Sequence, residues 1–487
     1  MRNTTKLLLG AFAVAALAAP ATFQLAWAQG GDVLKASVAR LLKDTGVWNV
    51  AKGGKTPGFV ADPSWPQPLP HRWQLGQVGG LYVDKHDHVW IYNRPRTMTR
   101  DEEASEPSVA GTTTTGNGFP RPGAPIGDCC NAAPSVLEFD AAGKLLRSWG
   151  GPSVPGWLAA HCREADGCIW PNSEHGIYVD DKDNVWISGN GGRVPATPTP
   201  WTTNKQGGDG FVLKFDMNGN FKLRIGGTPT APNSNDTNSG INGTPTMYEP
   251  ADMVVDPKTN RLYVADGYGN RRVLIVDADT GKYIGHFGAY GSNPIDDKAA
   301  AAAGNWISDS AKGNRHPAFF RNPVHCVKIA EDGKIYVCDR GNDRIQVFDG
   351  KSADLGKPCT NPTGQAGKCG YLAEQFVSPA TETLPTMPGT AVSMNFSTDK
   401  AQSCLYVGDN SNQTIYILNR ANLSDLGRVG RSGRQIGQFH WLHQVSLDSK
   451  GNIYTAEVDT GKRIQKFLHY GQAGCSGTGT MNIVGAE

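Results

Sequence analysis

Five segments of the chain repeat one pattern: an apolar strand that alternates with period two and ends near an aspartate, a Gly/Asn/Lys turn, a second strand, a polar turn and a third strand. They read GGLYVDKHDHVWIYNR from Gly79, EHGIYVDDKDNVWISGN from Glu174, PADMVVDPKTNRLYVADGYGNRRVLIVD from Pro250, PVHCVKIAEDGKIYVCDRGNDRIQVFD from Pro323 and WLHQVSLDSKGNIYTAEVDTGKRIQKF from Trp441. A weaker copy, AVSMNFSTDKAQSCLYVGDNSNQTIYIL, begins at Ala391. Alternation with period two between turn residues specifies short antiparallel strands, not helices. Pieces between the copies, such as SVLEFDAAGKLLRSWG and GFVLKFDMNGNFKLRIGG, supply the remaining strand of each unit. A four-stranded unit that recurs about six times without helical crossovers buries its faces only against its neighbours. This predicts an all-β fold, a six-bladed β-propeller, over residues 71–470. The long, irregular units disfavour a β-solenoid.

The flanks read differently. Residues 1–28 combine Arg2 and Lys6, an apolar stretch from Leu7 to about Ala19, and the small-x-small ending Ala26-Trp27-Ala28; this pattern predicts a secretory signal peptide. Residues 29–70 are expected as an N-terminal extension and 471–487 as a C-terminal tail. Gly/Pro/Thr-rich stretches at about 101–134, 190–208, 228–247 and 351–388 read as loops on the faces. The whole chain carries 47 Lys and Arg against 45 Asp and Glu. Without the two leader cations the balance is 45 against 45, so no net field recruits nucleic acid or an anionic membrane. After the leader the hydropathy does not stay high for the length of a spanning helix, so no membrane insertion is expected.

All ten cysteines follow the leader, as in a protein exported to a periplasmic or secreted, oxidising location. Cys162 with Cys168 and Cys359 with Cys369 are spaced to close short loops, and Cys326 and Cys338 fall on adjacent strands of one repeat. Cys129, Cys130, Cys404 and Cys475 are left open.

Aligning the copies on the first apolar residue of the inner strand (Leu81, Ile177, Met253, Val327, Val445) exposes a second pattern. Two residues earlier stand Gly79, His175, Ala251, His325 and His443; the weak fifth copy offers Thr390 or Val392. Histidine thus occupies this register in blades two, four and six alone. First strands of a propeller line the central channel, so equivalent positions in alternate blades converge on one depth. Three imidazoles on one axis match a zinc site with an open position, and imidazole also suits copper, iron or nickel. The second strand runs back to the same face, so residues just after it rim the site: Arg94, Asn190, Asp266-Gly267-Tyr268, Asp339-Arg340 and Asp409-Asn410. Arg94 and Arg340 lie fifteen positions beyond the register in blades that face each other. Paired guanidinium forks suit a carboxylate.

The repeats resemble NHL repeats, and the pattern over most of Gly79–Phe467 is similar to the peptidyl-α-hydroxyglycine α-amidating lyase family. The resemblance rests on HGIYVD at His175, Pro-Val-His at His325, Leu-His at His443, ADGYGNRR, YNR and CDRGNDRIQ. It implies zinc on His175, His325 and His443, a catalytic tyrosine at Tyr268, and active-site arginines at Arg94 and Arg340. It also implies a structural calcium at Leu81, Ile177 and Gln444, weakened because Gln444 stands where the family has an aspartate. The family's cysteine after the tyrosine is Gly269 here, so its disulfide is not reproduced. The implied activity is cleavage of a carbinolamide C–N bond in a small or peptide-derived substrate with an anionic group. The same histidines would also serve a metal-dependent hydrolase, and a non-catalytic NHL binding propeller is the third reading.

Overall fold

Six four-stranded antiparallel sheets follow one another along the chain. The computed structural model describes residues 55–99, 102–103, 127–192, 203–204, 207–295, 317–377 and 389–477; the leader expected at 1–28 lies outside them. Blade one is Gln77–Val83, Val89–Arg94, Val136–Phe139 and Leu145–Trp149; blade two is Glu174–Val179, Asn184–Gly189, Gly210–Asp216 and Phe221–Gly227. Blades three and four start at Pro250–Asp256 and Val324–Ile329, blade five at Ser393–Phe396 and blade six at Leu442–Leu447. Each inner strand meets those of its neighbours, and the inner strand of blade six meets that of blade one, which closes the ring. The architecture is a six-bladed β-propeller.

Blade six draws its outer strand from the other end of the chain. Gly58–Ala61 pairs antiparallel with Ile464–Tyr470, so part of the stretch expected as an extension is a blade strand. Similarly, the expected loop at 351–388 contains Tyr371–Phe376, the outer strand of blade four.

Recurring aspartates give the repeats their turns. Asp84, Asp180 and Asp448 each close the first turn and accept a hydrogen bond from the aromatic residue six positions on: Trp90 Nε1 (2.9 Å), Trp186 Nε1 (2.8 Å) and Tyr454 Oη (3.1 Å). At the other end of the second strand, acids clamp the third. Asp266 binds Arg272 Nε (2.8 Å), Asp339 binds Arg344 Nε (2.7 Å) and Glu457 binds Arg463 Nε (2.8 Å). Arg272 and Arg344 are wholly buried, and their remaining N–H groups go to backbone carbonyls and a few side chains. Such pairs hold only while complete, since removing one partner strands the other charge.

Five disulfides are formed: Cys129–Cys130, Cys162–Cys168, Cys326–Cys338, Cys359–Cys369 and Cys404–Cys475. The last ties the expected tail to blade five. Five such bonds suit an oxidising, extracellular environment. Among the described residues no helix is long and apolar enough to cross a membrane.

Ring closure makes a local prediction. Phe59 is fully buried in the sixth blade, edge-on to Tyr406 with ring centroids 5.6 Å apart. Phe59→Ala should lower unfolding free energy in denaturant titration by about 3–5 kcal/mol. Leu146→Ala, at a 40% exposed position, should stay within about 0.5 kcal/mol of wild type.

Candidate metal centre

The ladder between first and second strands breaks at the same place in five blades. Val78 opposes Asn93 and Gly80 opposes Tyr92, skipping Gly79. The ladder likewise skips Ala251, His325 and His443, and in blade two it breaks between Glu174 and Ile177, at His175. The register residue is therefore the extra residue of a β-bulge. A bulge leaves its residue out of the pairing and re-aims the side chain.

His175, His325 and His443 are thereby brought together. Their ring centroids stand 4.8–4.9 Å apart, and their potential ligand atoms lie within 4.8 Å of one another. All three are buried. His175 Nδ1 donates to the carbonyl of Ala251 (2.7 Å), the register residue of the next blade, and His325 Nδ1 donates to the carbonyl of Val392. This repetition assigns the fifth-blade register to Val392 over Thr390. For His443 the equivalent carbonyl is that of Gly79, close to Nδ1 but outside hydrogen-bond geometry.

A proton held on Nδ1 leaves the lone pair on Nε2. Burial, reinforced by the positive charge of Arg94 beside His175 and of Arg340 beside His325, holds these imidazoles well below the usual histidine range. Burial and then the neighbouring His175 do the same for His443. Neutral rings with inward lone pairs form a group able to hold a metal ion.

Tyr268, in the turn after the second strand of blade three, reaches over this group. Its hydroxyl lies 3.1 Å from His175 Nε2 and 3.0 Å from His325 Nε2, and accepts a hydrogen bond from Arg340 Nη1 at 3.1 Å. Arg94 comes from blade one, which faces the blade four that carries Arg340. Its Nε donates to the Glu174 carbonyl, Nη1 to Gln77 Oε1 (3.0 Å) and Nη2 to Asn190 Oδ1 (3.2 Å). Burial lowers its pKa, which Tyr268 and Glu174 oppose. Gly79 makes room for this side chain: a Cβ there would strike the Glu174 carbonyl and approach Arg94 Nε to 3.0 Å. Nothing in the repeat pattern marks Gln77 or the need for Gly79.

The remaining expected site residues lie deeper. Leu81, Ile177 and Gln444 are on the inner strands of blades one, two and six. The amide oxygen of Gln444 already accepts from the Ser393 hydroxyl at 3.0 Å, and calcium favours carboxylates, which this trio lacks.

A second group, Asp84, His88 and Glu138, has metal-like spacing. His88 Nδ1 binds Glu138 at 2.8 Å, Arg147 binds the other oxygen of Glu138, and Asp84 holds Trp90. His88 stands where Asn184 and Asn452 bind the turn aspartates of blades two and six. That group is a turn variant of the repeat.

Fold and site define an NHL-type β-propeller with three channel histidines. The NHL repeat family matches at residues 324–348, in blade four. Peptidyl-glycine alpha-amidating monooxygenase B of Xenopus laevis is 30% identical over 109 residues, which is 22% of this chain and 10% of that protein; monooxygenase A of the same species is 28% identical over the same length. The match thus spans about a tenth of the length of these relatives. Among solved structures, a streptogramin B lyase is 10% identical with a TM-score of 0.39, covering 86% of this chain and 98% of its own. The WD40 propeller domain of Doa1 is 12% identical with a TM-score of 0.38, covering 86% and 97%.

The geometry predicts that His175→Ala, His325→Ala and His443→Ala each abolish stoichiometric retention of a divalent metal, read by elemental analysis after dialysis. His88→Ala should retain it.

Proposed function

We propose that the chain is an exported, zinc-dependent carbon–nitrogen lyase that cleaves a carbinolamide to an amide and an aldehyde or keto acid. The observation that carries this reading is the position of the Tyr268 hydroxyl, within 3.1 Å of two histidine Nε2 atoms and of Arg340. The partial match to the amidating monooxygenases points the same way. Export is inferred from the leader pattern and the disulfides.

A divalent metal on His175, His325 and His443 would supply Lewis acidity toward the substrate hydroxyl. Tyr268 takes the proton of that hydroxyl. Arg340 Nη1 directs an N–H at the phenolic oxygen from 3.1 Å and holds it in position for that transfer. The electron pair left on that oxygen forms the C=O bond while the C–N pair leaves with the amide nitrogen, which takes up the proton from Tyr268; no water is consumed. Arg340 and Arg94 face an anionic substrate group across the ring. Gln77 and Asn190 hold the Arg94 fork in one plane, which suits bidentate recognition. The partner is thus a small or peptide-derived molecule with an anionic group, not a nucleic acid.

Tyr268→Phe should keep fold and metal but lower turnover on an α-hydroxyglycine amide by about 10² or more, the scale of losing a general base. Arg94→Lys should mainly raise KM, because lysine keeps the charge but loses the fork. Steady-state kinetics with solvent-oxygen labelling tests both points. Solvent oxygen incorporated during cleavage, or unchanged turnover in Tyr268→Phe, would contradict the lyase reading.

A further inference from the structure

The residue just after the partner of the inner-strand residue that precedes the bulge is Arg94, Asn190, Gly267, Arg340 and Val458 in blades one, two, three, four and six, and Asn410, two beyond the Gly408 that pairs with Ser393, holds the same place in blade five. Three of these reach the next blade at the residue just before a channel histidine. Arg94 donates to the Glu174 carbonyl, before His175. Gly267 packs against Val324, before His325, and its carbonyl accepts the Val324 amide at 3.3 Å. Asn410 Nδ2 donates to the Leu442 carbonyl, before His443, at 2.7 Å. The turns of blades one, three and five are therefore equivalent around the pseudo-threefold axis of the histidines. Two of them carry Arg94 and Tyr268; the third carries Asn410.

Asn410 is 1% exposed, and its Oδ1 has no hydrogen-bond partner among the described residues. The Leu442 carbonyl must receive a donor, so the amide orientation is set and the orphan atom is an acceptor. Its counterpart Asn190 uses Oδ1 fully, accepting from Arg94 Nη2 at 3.2 Å and from the Ser173 hydroxyl at 2.8 Å. A buried acceptor without a partner costs free energy unless something outside the protein supplies the proton.

We propose that Asn410 Oδ1 is a specificity determinant that accepts the amide N–H of the bound substrate. The inference rests on the carbinolamide reading above. Such a substrate offers three handles: an anionic group for the arginines, a hydroxyl for the centre of the ring, and an N–H for the third turn. A site built around a buried acceptor discriminates strongly against an analogue that lacks the donor.

The test uses two inert probes, N-benzoylglycine and O-benzoylglycolate, which differ only by N–H against O. Their binding to the zinc-loaded full chain is measured by calorimetry. Wild type should prefer the amide by about ten-fold or more, the scale of leaving a buried acceptor unpaired. In Asn410→Ala, checked for zinc content and thermal unfolding, the preference should fall to about one. Equal binding of the probes by wild type, or a preference that survives in Asn410→Ala, overturns the assignment and leaves the lyase reading standing. Failure of wild type to bind either probe overturns both. The wild-type ratio decides the matter by itself if the variant does not fold.

Discussion

The channel mouth depends on a backbone irregularity, one residue left out of the ladder where the inner strand begins in five of the six blades. A regular strand would alternate its side chains between the two neighbouring blades and leave none committed to the axis. The bulge releases His175, His325 and His443 from that alternation. The hydrogen bonds from Nδ1 of His175 and His325 to register carbonyls of the following blades then fix ring orientation and tautomer together. Metal-binding histidines are commonly held by such outer partners. Here the partner is the register residue of the adjacent blade, so ring closure and site geometry are one constraint.

The rim follows from the same repetition. Its residues leave the second strand just where buried acids clamp the third, as Asp266 does with Arg272 and Asp339 with Arg344. Burial raises the pKa of both aspartates, and the paired arginines oppose the shift. Tyr268 and Arg340 thus project from turns whose bases are pinned by charge pairs. A site built on rigid turns holds the Tyr268 hydroxyl and the Arg340 guanidinium at fixed separation.

The blade pattern and the histidine register were legible because both are periodic: alternation marks strands, and a ligand recurring in every second copy marks an axis. What lacked a period was harder to see. Gly58–Ala61 has no neighbouring repeat strand in sequence, because its partner is Ile464–Tyr470 at the far end of the chain. Tyr371–Phe376 hid in a Gly- and Pro-rich stretch, its pairing set by Arg344–Asp349 and not by its own composition. The fifth-blade register was ambiguous because an apolar Val392 carries no chemical mark; only its carbonyl, bound by His325, identifies it. Among the cysteines, Cys404–Cys475 joins a blade to the tail at a separation of 71 residues, beyond any spacing rule. Gly79 is a similar case. Its absence of a side chain reads as a missing histidine until Arg94 is seen in the space.

Three alternate-blade bulges aim three neutral imidazoles at one point, where a single ion could be held. X-ray absorption at the metal edge of the zinc-loaded chain measures this directly. The expected result is one ion per chain with three imidazole nitrogens at about 2.0–2.1 Å and an additional light-atom ligand. A first shell with fewer than three imidazoles, or one containing sulfur, would contradict it.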